Sequence, residues 1–144
     1  MSTLRKQIID AALVALNTGR PTGVPAATRL RQTEFEASTT PSISIYPGAE
    51  TIEPATNRYG AAVKRSLQLV VEVRASGTDP DILMDASVGW AEKALASWTS
   101  SLIHDVVEDS VTHEFAIGTV PIGVCRVVFY VRYSTRRTDP SAAS

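Results

Sequence analysis

The chain has a single cysteine, no excess of basic charge and no long hydrophobic run. Cys125 cannot form an internal disulfide or a multi-thiolate zinc site, and its apolar neighbours indicate a small buried side chain, which favours an intracellular folding compartment. The 14 basic and 15 acidic residues leave a formal net charge of -1, whereas a protein that mainly grips nucleic acid usually carries a clear basic excess. Because no segment approaches the roughly 18 consecutive apolar residues of a membrane span, we expect a soluble protein.

The common catalytic loops are missing as well. Neither Gly-x-x-x-x-Gly-Lys nor Gly-x-Gly-x-x-Gly occurs, and the nucleophile motif Gly-x-Ser-x-Gly is absent. One cluster has residue types that bind zinc or related ions: His104, Asp105, Glu108, His113 and Glu114. These residues lie across a predicted loop and a strand without the fixed helical spacing of a metal motif. On the strand His113 shares a side with Val111 and Phe115, which favours a partly buried structural histidine. We therefore predict no enzymatic activity, no metal and no cofactor, and keep a small metal-dependent enzyme as a distant alternative.

Length and composition indicate one folded domain. The chain has 144 residues, of which 44% are hydrophobic and 20% are charged, a balance typical of globular proteins rather than disordered ones. We assign residues 1–137 to a single α+β domain. Residues 138–144 are small and polar, and we predict that they form a disordered C-terminal tail.

Apolar residues at spacings of three and four predict two helices. The first covers residues 3–18, with Thr3 as its N-cap and Gly19 ending it in a left-handed conformation. The second starts at Asp79–Pro80 and runs to about Trp98. Its predicted buried stripe consists of Leu83, Ala86, Trp90, Ala94, Leu95 and Trp98.

Alternating apolar and polar residues predict the strands. The clearest covers Arg65–Arg74, where Leu67, Leu69, Val71 and Val73 point one way. Shorter strands are predicted at Ala27–Arg31, at Ser42–Tyr46 before a Pro47–Gly48 turn, at Val111–Ile117 and at Cys125–Tyr133. Together with the helices they indicate an α+β fold, a mostly antiparallel β-sheet with two main helices packed on one face.

The sheet face opposite the helices is the candidate interface. It should be polar, yet apolar and charged residues are mixed there, a pattern that suits a contact with a dry centre and a charged rim. The single exposed hydrophobic residues of ordinary surfaces are the alternative explanation. The candidate subunit or partner contacts are Arg58, Tyr59, Val70, Glu72, Arg126, Val128, Tyr130 and Arg132. We expect Tyr130→Asp or Val70→Asp to weaken the assembly of a ring of subunits while the monomer stays folded.

A basic cluster raises the question of DNA contact. It consists of Arg126, Arg132, Arg136 and Arg137. Because the overall charge is balanced, we favour pairing of these arginines with acidic residues across strands or subunits over DNA binding.

The order of segments resembles that of a known family. An N-terminal helix is followed by Ser-Ile-Tyr-Pro-Gly, by the strand Ser-Leu-Gln-Leu-Val-Val-Glu-Val and by Thr-Asp-Pro-Asp-Ile-Leu-Met-Asp-Ala, and the closing block is Pro121–Thr135. Over nearly the whole chain this arrangement resembles the tail terminator proteins of long-tailed bacteriophages, also called tail-completion or minor tail proteins. Other phage neck, connector and tube proteins share the pattern and remain alternatives.

The resemblance implies a structural role in the virion. Tail terminators assemble as six-subunit rings on the end of the tail tube, stop its growth and join the tail to the head. The implied partners are further copies of the chain, the tail tube protein and the head–tail connector, with DNA only as cargo passing through the lumen. The implied location is the head–tail junction of the virion, after assembly in the bacterial cytoplasm. The resemblance carries over no catalytic residue.

Overall fold

In the residues that the structure describes, two helices pack on one six-stranded sheet. The computed structural model describes residues 3–29, 41–53, 62–117, 120–136 and 139–143. The elements in chain order are α1 (Leu4–Asn17), β1 (Ala27–Arg29), β2 (Ser42–Glu53), β3 (Ala62–Ser76), α2 (Pro80–Ala96), β4 (Asp105–Ala116), β5 (Ile122–Arg136) and β6 (Asp139–Ala143). This confirms the predicted α+β class with a mostly antiparallel sheet.

Strands β3 and β5 form the centre of the sheet. The strand order is β1-β2-β3-β5-β4, and β6 also pairs with β5. β3 and β5 are antiparallel over their whole lengths, from Ala62 opposite Arg136 to Ser76 opposite Ile122. β1 runs parallel to β2, whereas the other pairs of the described sheet are antiparallel. β1 and β4 are therefore the outermost strands on opposite sides of the sheet.

Helix α1 begins and ends as its sequence predicts. The Thr3 hydroxyl accepts a hydrogen bond from the Lys6 backbone N–H, which satisfies one of the free donors of the first turn. After Asn17 the chain turns at Gly19, whose φ of 73° lies in the left-handed region that glycine adopts without strain.

Both helices bury their apolar faces against the same side of the sheet, hereafter the inner face. Leu67, Leu69, Val71 and Val73 of β3 point into this core and are fully buried, as their period of two predicts. Cys125 of β5 lies in the same core. Cys125 is fully buried, as predicted, and this burial raises the pKa of its thiol to about 11.

The buried stripe of α2 differs from the prediction. The helix buries Pro80, Met84, Ser87, Val88, Ala91 and Leu95, so of the predicted residues Leu95 alone is fully buried. The two tryptophans lie at the margin instead, half-buried against the core. The Trp90 indole N–H donates to the Leu16 carbonyl oxygen of α1 at 2.8 Å. The buried face of α2 therefore combines large side chains such as Met84 and Leu95 with the small Ser87 and Ala91, and the two indole rings lie beside it.

Two predicted boundaries are also wrong. Pro47–Gly48 does not end β2, which continues to Glu53 through a shift in register between Pro47 and Glu50. Such a bulge lets a strand accommodate a proline and continue. Residues 139–143, predicted as a disordered tail, form β6, where Ala143 lies opposite Thr135. Backbone pairing with β5 supplies the order that the small side chains cannot.

Within the described residues no helix is long and apolar enough to cross a membrane.

Candidate interface on the outer sheet face

The outer face of the sheet is opposite the helices and carries most of the predicted contacts. On β3, Gln68, Val70 and Glu72 point to this face, between β2 and β5. Val70 and Glu72 are nevertheless only 7% and 2% exposed. Among the described residues, side chains of the neighbouring strands contact Glu72, namely Tyr46 and Arg126.

Glu72 is the centre of a network of hydrogen bonds that joins three strands. Its carboxylate accepts from Arg74 Nε at 2.7 Å, from Arg126 Nε at 3.0 Å and from the Tyr46 hydroxyl at 3.0 Å. Arg126 also pairs with Glu114 of β4 at 3.0 Å. The pKa of Arg126 is raised, mainly by the bond with Glu114. Burial and then the neighbouring Glu72 charge raise the pKa of Tyr46. The buried carboxylate of Glu72 is tolerated here because its oxygens accept hydrogen bonds from three donors, two of them positively charged.

A second network covers the part of the face nearer the β2–β3 connection. Gln68 Nε2 donates to the Tyr130 hydroxyl at 3.2 Å, and Gln68 Oε1 accepts from the Ala49 backbone N–H at 3.1 Å. The bulge brings Gly48 so close to Gln68 that an added Cβ would lie 2.7 Å from Oε1. The bulge therefore orients Gln68, which in turn positions Tyr130.

The predicted contacts are divided between these networks and the open surface. Val128 and Tyr130 are half-buried and Arg132 is exposed, all on the outer face of β5. Arg132 pairs with Asp105 at 3.4 Å. Arg58 and Tyr59 lie outside the described residues. Within the described part of the chain, the sheet thus presents polar groups that already bond to one another around a small apolar centre.

Two of the arginines predicted to pair with acidic residues do so, Arg126 and Arg132. Arg126 bonds Glu72 and Glu114, and Arg132 bonds Asp105. Arg136 is exposed at the end of β5, and Arg137 lies outside the described residues. The pairing neutralises the positive charge that DNA binding would use.

The predicted metal-type cluster does not come together. Asp105 and Glu114 pair with arginines on the outer face, whereas Glu108 and His113 point to the inner face, opposite Phe129 and Cys125. Among the described residues no three His, Cys, Asp or Glu side chains converge. The sequence-based expectation of a partly buried His113 is wrong, because this part of β4 is left uncovered by α2 and the side chain is exposed.

His104 has a serine partner that its sequence position does not reveal. Its Nε2 lies 2.8 Å from Ser134 Oγ on β5, in a shallow groove that Lys64, Asp105 and Arg132 also line. A serine nucleophile needs a base that a third group orients. Here the Asp105 carboxylate, the nearest acidic neighbour in sequence, is paired with Arg132. The His104–Ser134 contact ties β5 to the segment that precedes β4.

Comparison with known proteins identifies a shared fold. No family model matches the chain, and no curated protein is significantly similar to it in sequence. A solved structure titled "Virion of native gene transfer agent (GTA) particle" contains a chain with 16% identity to this one and a TM-score of 0.50. The match covers 90% of each chain. At this identity the match establishes that a chain of that virion has the same fold.

Sequence reasoning missed a further network, on the inner face. Glu50 follows the bulge in β2, and its side chain turns inward to meet Arg5 of α1, Arg65 of β3 and Tyr133 of β5. The bulge shifts the alternation of β2 by one residue, and this shift places a charged side chain against the core. A proline and a glycine inside an otherwise alternating strand are the sequence signal that could have revealed it.

Proposed function

We propose that this chain is a structural subunit of a phage or phage-like virion that forms a ring, of six copies by resemblance, on the end of the tail tube. In this role it ends polymerisation of the tube and joins the tail to the head. Its partners are further copies of itself, the tube protein and the head–tail connector, and its location is the head–tail junction. The observation that carries the proposal is the shared fold over 90% of both chains with a component of a gene transfer agent virion.

The outer face supports an assembly role. It has an apolar centre formed by Val70, Val128 and Tyr130, and a rim of charged residues that already pair within the subunit. Pre-formed pairs keep the side chains in one geometry before a partner arrives, which lowers the ordering cost of binding. An open sheet face of this kind can dock onto a tube end or a connector without rearrangement.

The charge distribution suits DNA as passing cargo. The formal net charge is -1, and Arg126 and Arg132 are neutralised by acidic partners. A lumen through which DNA slides should avoid many free phosphate contacts, because each contact adds affinity and slows release.

The decisive experiment is light scattering after size exclusion, over a wide range of protein and magnesium concentration, with negative-stain images of the largest species. Single rings of about six copies support the proposal. Rings that stack into continuous tubes favour a tube subunit instead, the first alternative. A chain that stays monomeric in every condition and does not bind tube ends contradicts the proposal.

The metal-dependent enzyme remains the distant alternative. The separation of Glu108 and His113 from Asp105 and Glu114 onto opposite faces weighs against it. Metal analysis of protein purified without chelator tests it directly. Stoichiometric metal that is lost in a variant with both histidines replaced by alanine would favour the enzyme.

A further inference from the structure

The outermost strand β4 leaves an apolar strip of the inner face uncovered. Val111 and Phe115 point to this face, opposite Val127 and Gly123 of β5, yet they are 37% and 54% exposed. His113 lies between them and stacks on Phe115, with ring centroids 6.4 Å apart. Large apolar side chains that share one open strip mark a surface that a partner covers.

Acidic side chains of α2 lie beside this strip. Asp81, Asp85 and Glu92 recur at helical spacing on one flank of α2, and Glu92 contacts Glu108 of β4. Together α2 and β4 carry seven acidic side chains and one lysine. We call this surface, the exposed inner strip of β4 with the flank of α2, the acidic edge.

Glu92 and Glu108 bring two carboxyl groups together within the acidic edge. Burial, then a hydrogen bond to Glu92, and then the Glu92 charge raise the pKa of Glu108. Two carboxyl groups this close repel when both are ionised. A cationic side chain from another molecule would remove this repulsion, so the pair indicates a partner with basic residues.

The opposite side of the sheet has the complementary character. There α1 lies beside β1, to which Asn17 is tied by hydrogen bonds with both the N–H and the carbonyl of Ala27. Residues 4–29 contain four basic side chains and one acidic side chain. Among them Lys6 and Arg29 both pair with Asp10, so the surface keeps an excess of positive charge.

An exposed hydrophobic residue completes this second surface. Val14 is 66% exposed on the outward side of α1, on the same helical row as Lys6 and Asp10. We call the surface formed by Lys6, Asp10, Val14, Arg20 and Arg29 the basic edge.

We propose that the acidic edge of one copy binds the basic edge of the next, so that the subunits of the ring join head to tail through opposite sides of their sheets. This inference rests on the proposed ring and names the surfaces that close it. A contact between two different surfaces repeats around a ring when the rotation closes. The apolar strip around Val111 and Phe115 supplies the dry centre, and the opposite charges set the direction.

Charge reversal tests the pairing. The first variant carries Glu92→Lys and Glu108→Lys on the acidic edge, and the second carries Lys6→Glu and Arg20→Glu on the basic edge. A matched control, Lys64→Glu, changes an exposed charge on β3, away from both edges. Each protein is examined by size exclusion with light scattering, at a concentration where the wild type forms rings, and circular dichroism checks its fold.

In each double variant alone, we expect the fraction of protein assembled into rings to fall about tenfold, because each junction then joins like charges. The control keeps its rings. An equimolar mixture of the two variants regains rings, because alternating copies make one original junction and one fully reversed junction. A ring of six accommodates this alternation. An unfolded variant could not restore assembly, so recovery in the mixture also excludes misfolding as the cause.

Three results would overturn the inference. Rings that persist in both double variants would show that the acidic residues only protect the outermost strand from aggregation. Loss of rings in the acidic-edge variant alone, without recovery in the mixture, would identify a contact between two copies of the same edge. A wild type that never forms rings would contradict the proposed function itself, which the first two results leave intact.

Discussion

The hydroxyl of Tyr133 on β5 donates a hydrogen bond to the carboxylate of Glu50 on β2, across the intervening strand β3. Arg5 of α1 and Arg65 of β3 bond the same carboxylate. Burial raises the pKa of Glu50, but the hydrogen bonds from Arg5 and Tyr133 and the nearby positive charges outweigh it and hold the pKa below its ordinary value. Burial, and then the bond to Glu50, raise the pKa of Tyr133 to about 12. The start of α1 is thereby tied to three strands.

Tyr133→Phe should lower the free energy of unfolding by about 1–2 kcal/mol, because it removes one partner from a largely buried carboxylate. Urea denaturation of the monomer at neutral pH measures the change. A loss below about 0.3 kcal/mol would show that the two arginines satisfy Glu50 without the tyrosine.

Glu50 should also make stability depend on pH. Because its pKa is lower in the folded state, its contribution is present above the ordinary value near 4.5 and is lost as the pH falls through the folded value. Denaturation midpoints measured from neutral to acidic pH should fall less steeply in Glu50→Gln than in the wild type. Identical acid profiles for the two proteins would contradict this assignment.

Arg126 and Arg132 lie on the same face of β5 but should differ in their contribution to stability. Arg126→Leu removes a donor from the buried carboxylate of Glu72, at an expected cost of about 1–3 kcal/mol. Arg132→Leu breaks an exposed pair with Asp105 and should change stability by no more than about 0.5 kcal/mol. Thermal or urea unfolding of both variants decides the comparison, and equal losses would mean that Arg74 and Tyr46 satisfy Glu72 unaided.

Replacement of glycine by alanine should change the stability of the protein in opposite directions at Gly89 and Gly123. Gly89→Ala in α2 should stabilise the protein by about 0.5–1 kcal/mol, because an added Cβ meets nothing within 4 Å and alanine favours the helix. Gly123→Ala should destabilise it by about 1–3 kcal/mol. Its Cβ would lie 2.7 Å from Met84 Cε and 2.9 Å from Pro80 Cβ. Unfolding temperatures that shift in the same direction would refute the packing of α2 onto β5.

Tyr130→Asp tests the outer face. If the acidic and basic edges close the ring, the outer face remains free for the tube end or the connector. The sequence-based expectation for this variant is weaker ring assembly. The pairing of the two edges predicts instead that it stays folded and forms rings but binds tail tubes about tenfold more weakly, as measured by co-sedimentation. Loss of the rings themselves would place the outer face between subunits instead.

Val70→Asp is a poorer probe of the same surface. The side chain is only 7% exposed, so an aspartate would bury a charge and destabilise the subunit itself by about 2 kcal/mol or more. The sequence places Val70 on the correct face of the sheet. It does not show that the side chain is buried there, which is why sequence reasoning expects the monomer to stay folded with aspartate at this position.

The sequence predicts the parts of the fold in which burial imposes a period. β3 and β5 have one fully buried face, so Leu67 to Val73 and Cys125 to Tyr133 alternate as the structure requires. β4 alternates in the same way, but its inner side is open because α2 covers β3 and β5 rather than the outermost strand. Alternation reports which residues share a side and cannot report whether another element covers that side.

Helix α2 and the tail show two further limits. The two tryptophans dominate the apolar pattern of α2, yet they are only half-buried, whereas Met84, Ala91 and Leu95 are fully buried. Residues 139–143 form a strand through backbone pairing, which leaves no mark on side-chain pattern.

The candidate interface was predictable as a set of positions but not as a network. The period of two places Val70, Glu72, Arg126 and Tyr130 on the outer face, as observed. Which arginine meets which carboxylate depends on the register between strands that are distant in sequence, and local spacing contains no information about that register. The acidic edge and the basic edge could not be predicted from the sequence for the same reason. Each combines elements that are separate in the sequence, α2 with β4 and α1 with β1.

The pairing of β3 with β5 determines when the molecule can fold. Ser76 at the end of β3 pairs with Ile122 at the start of β5, and all of α2 and β4 lie between them in the sequence. During synthesis the core face of β3 therefore has no central neighbour until the last long strand has left the ribosome. Contacts of such wide sequence separation make folding slow. The two central strands of the sheet therefore stay unpaired with each other until α2, β4 and β5 have all been synthesised.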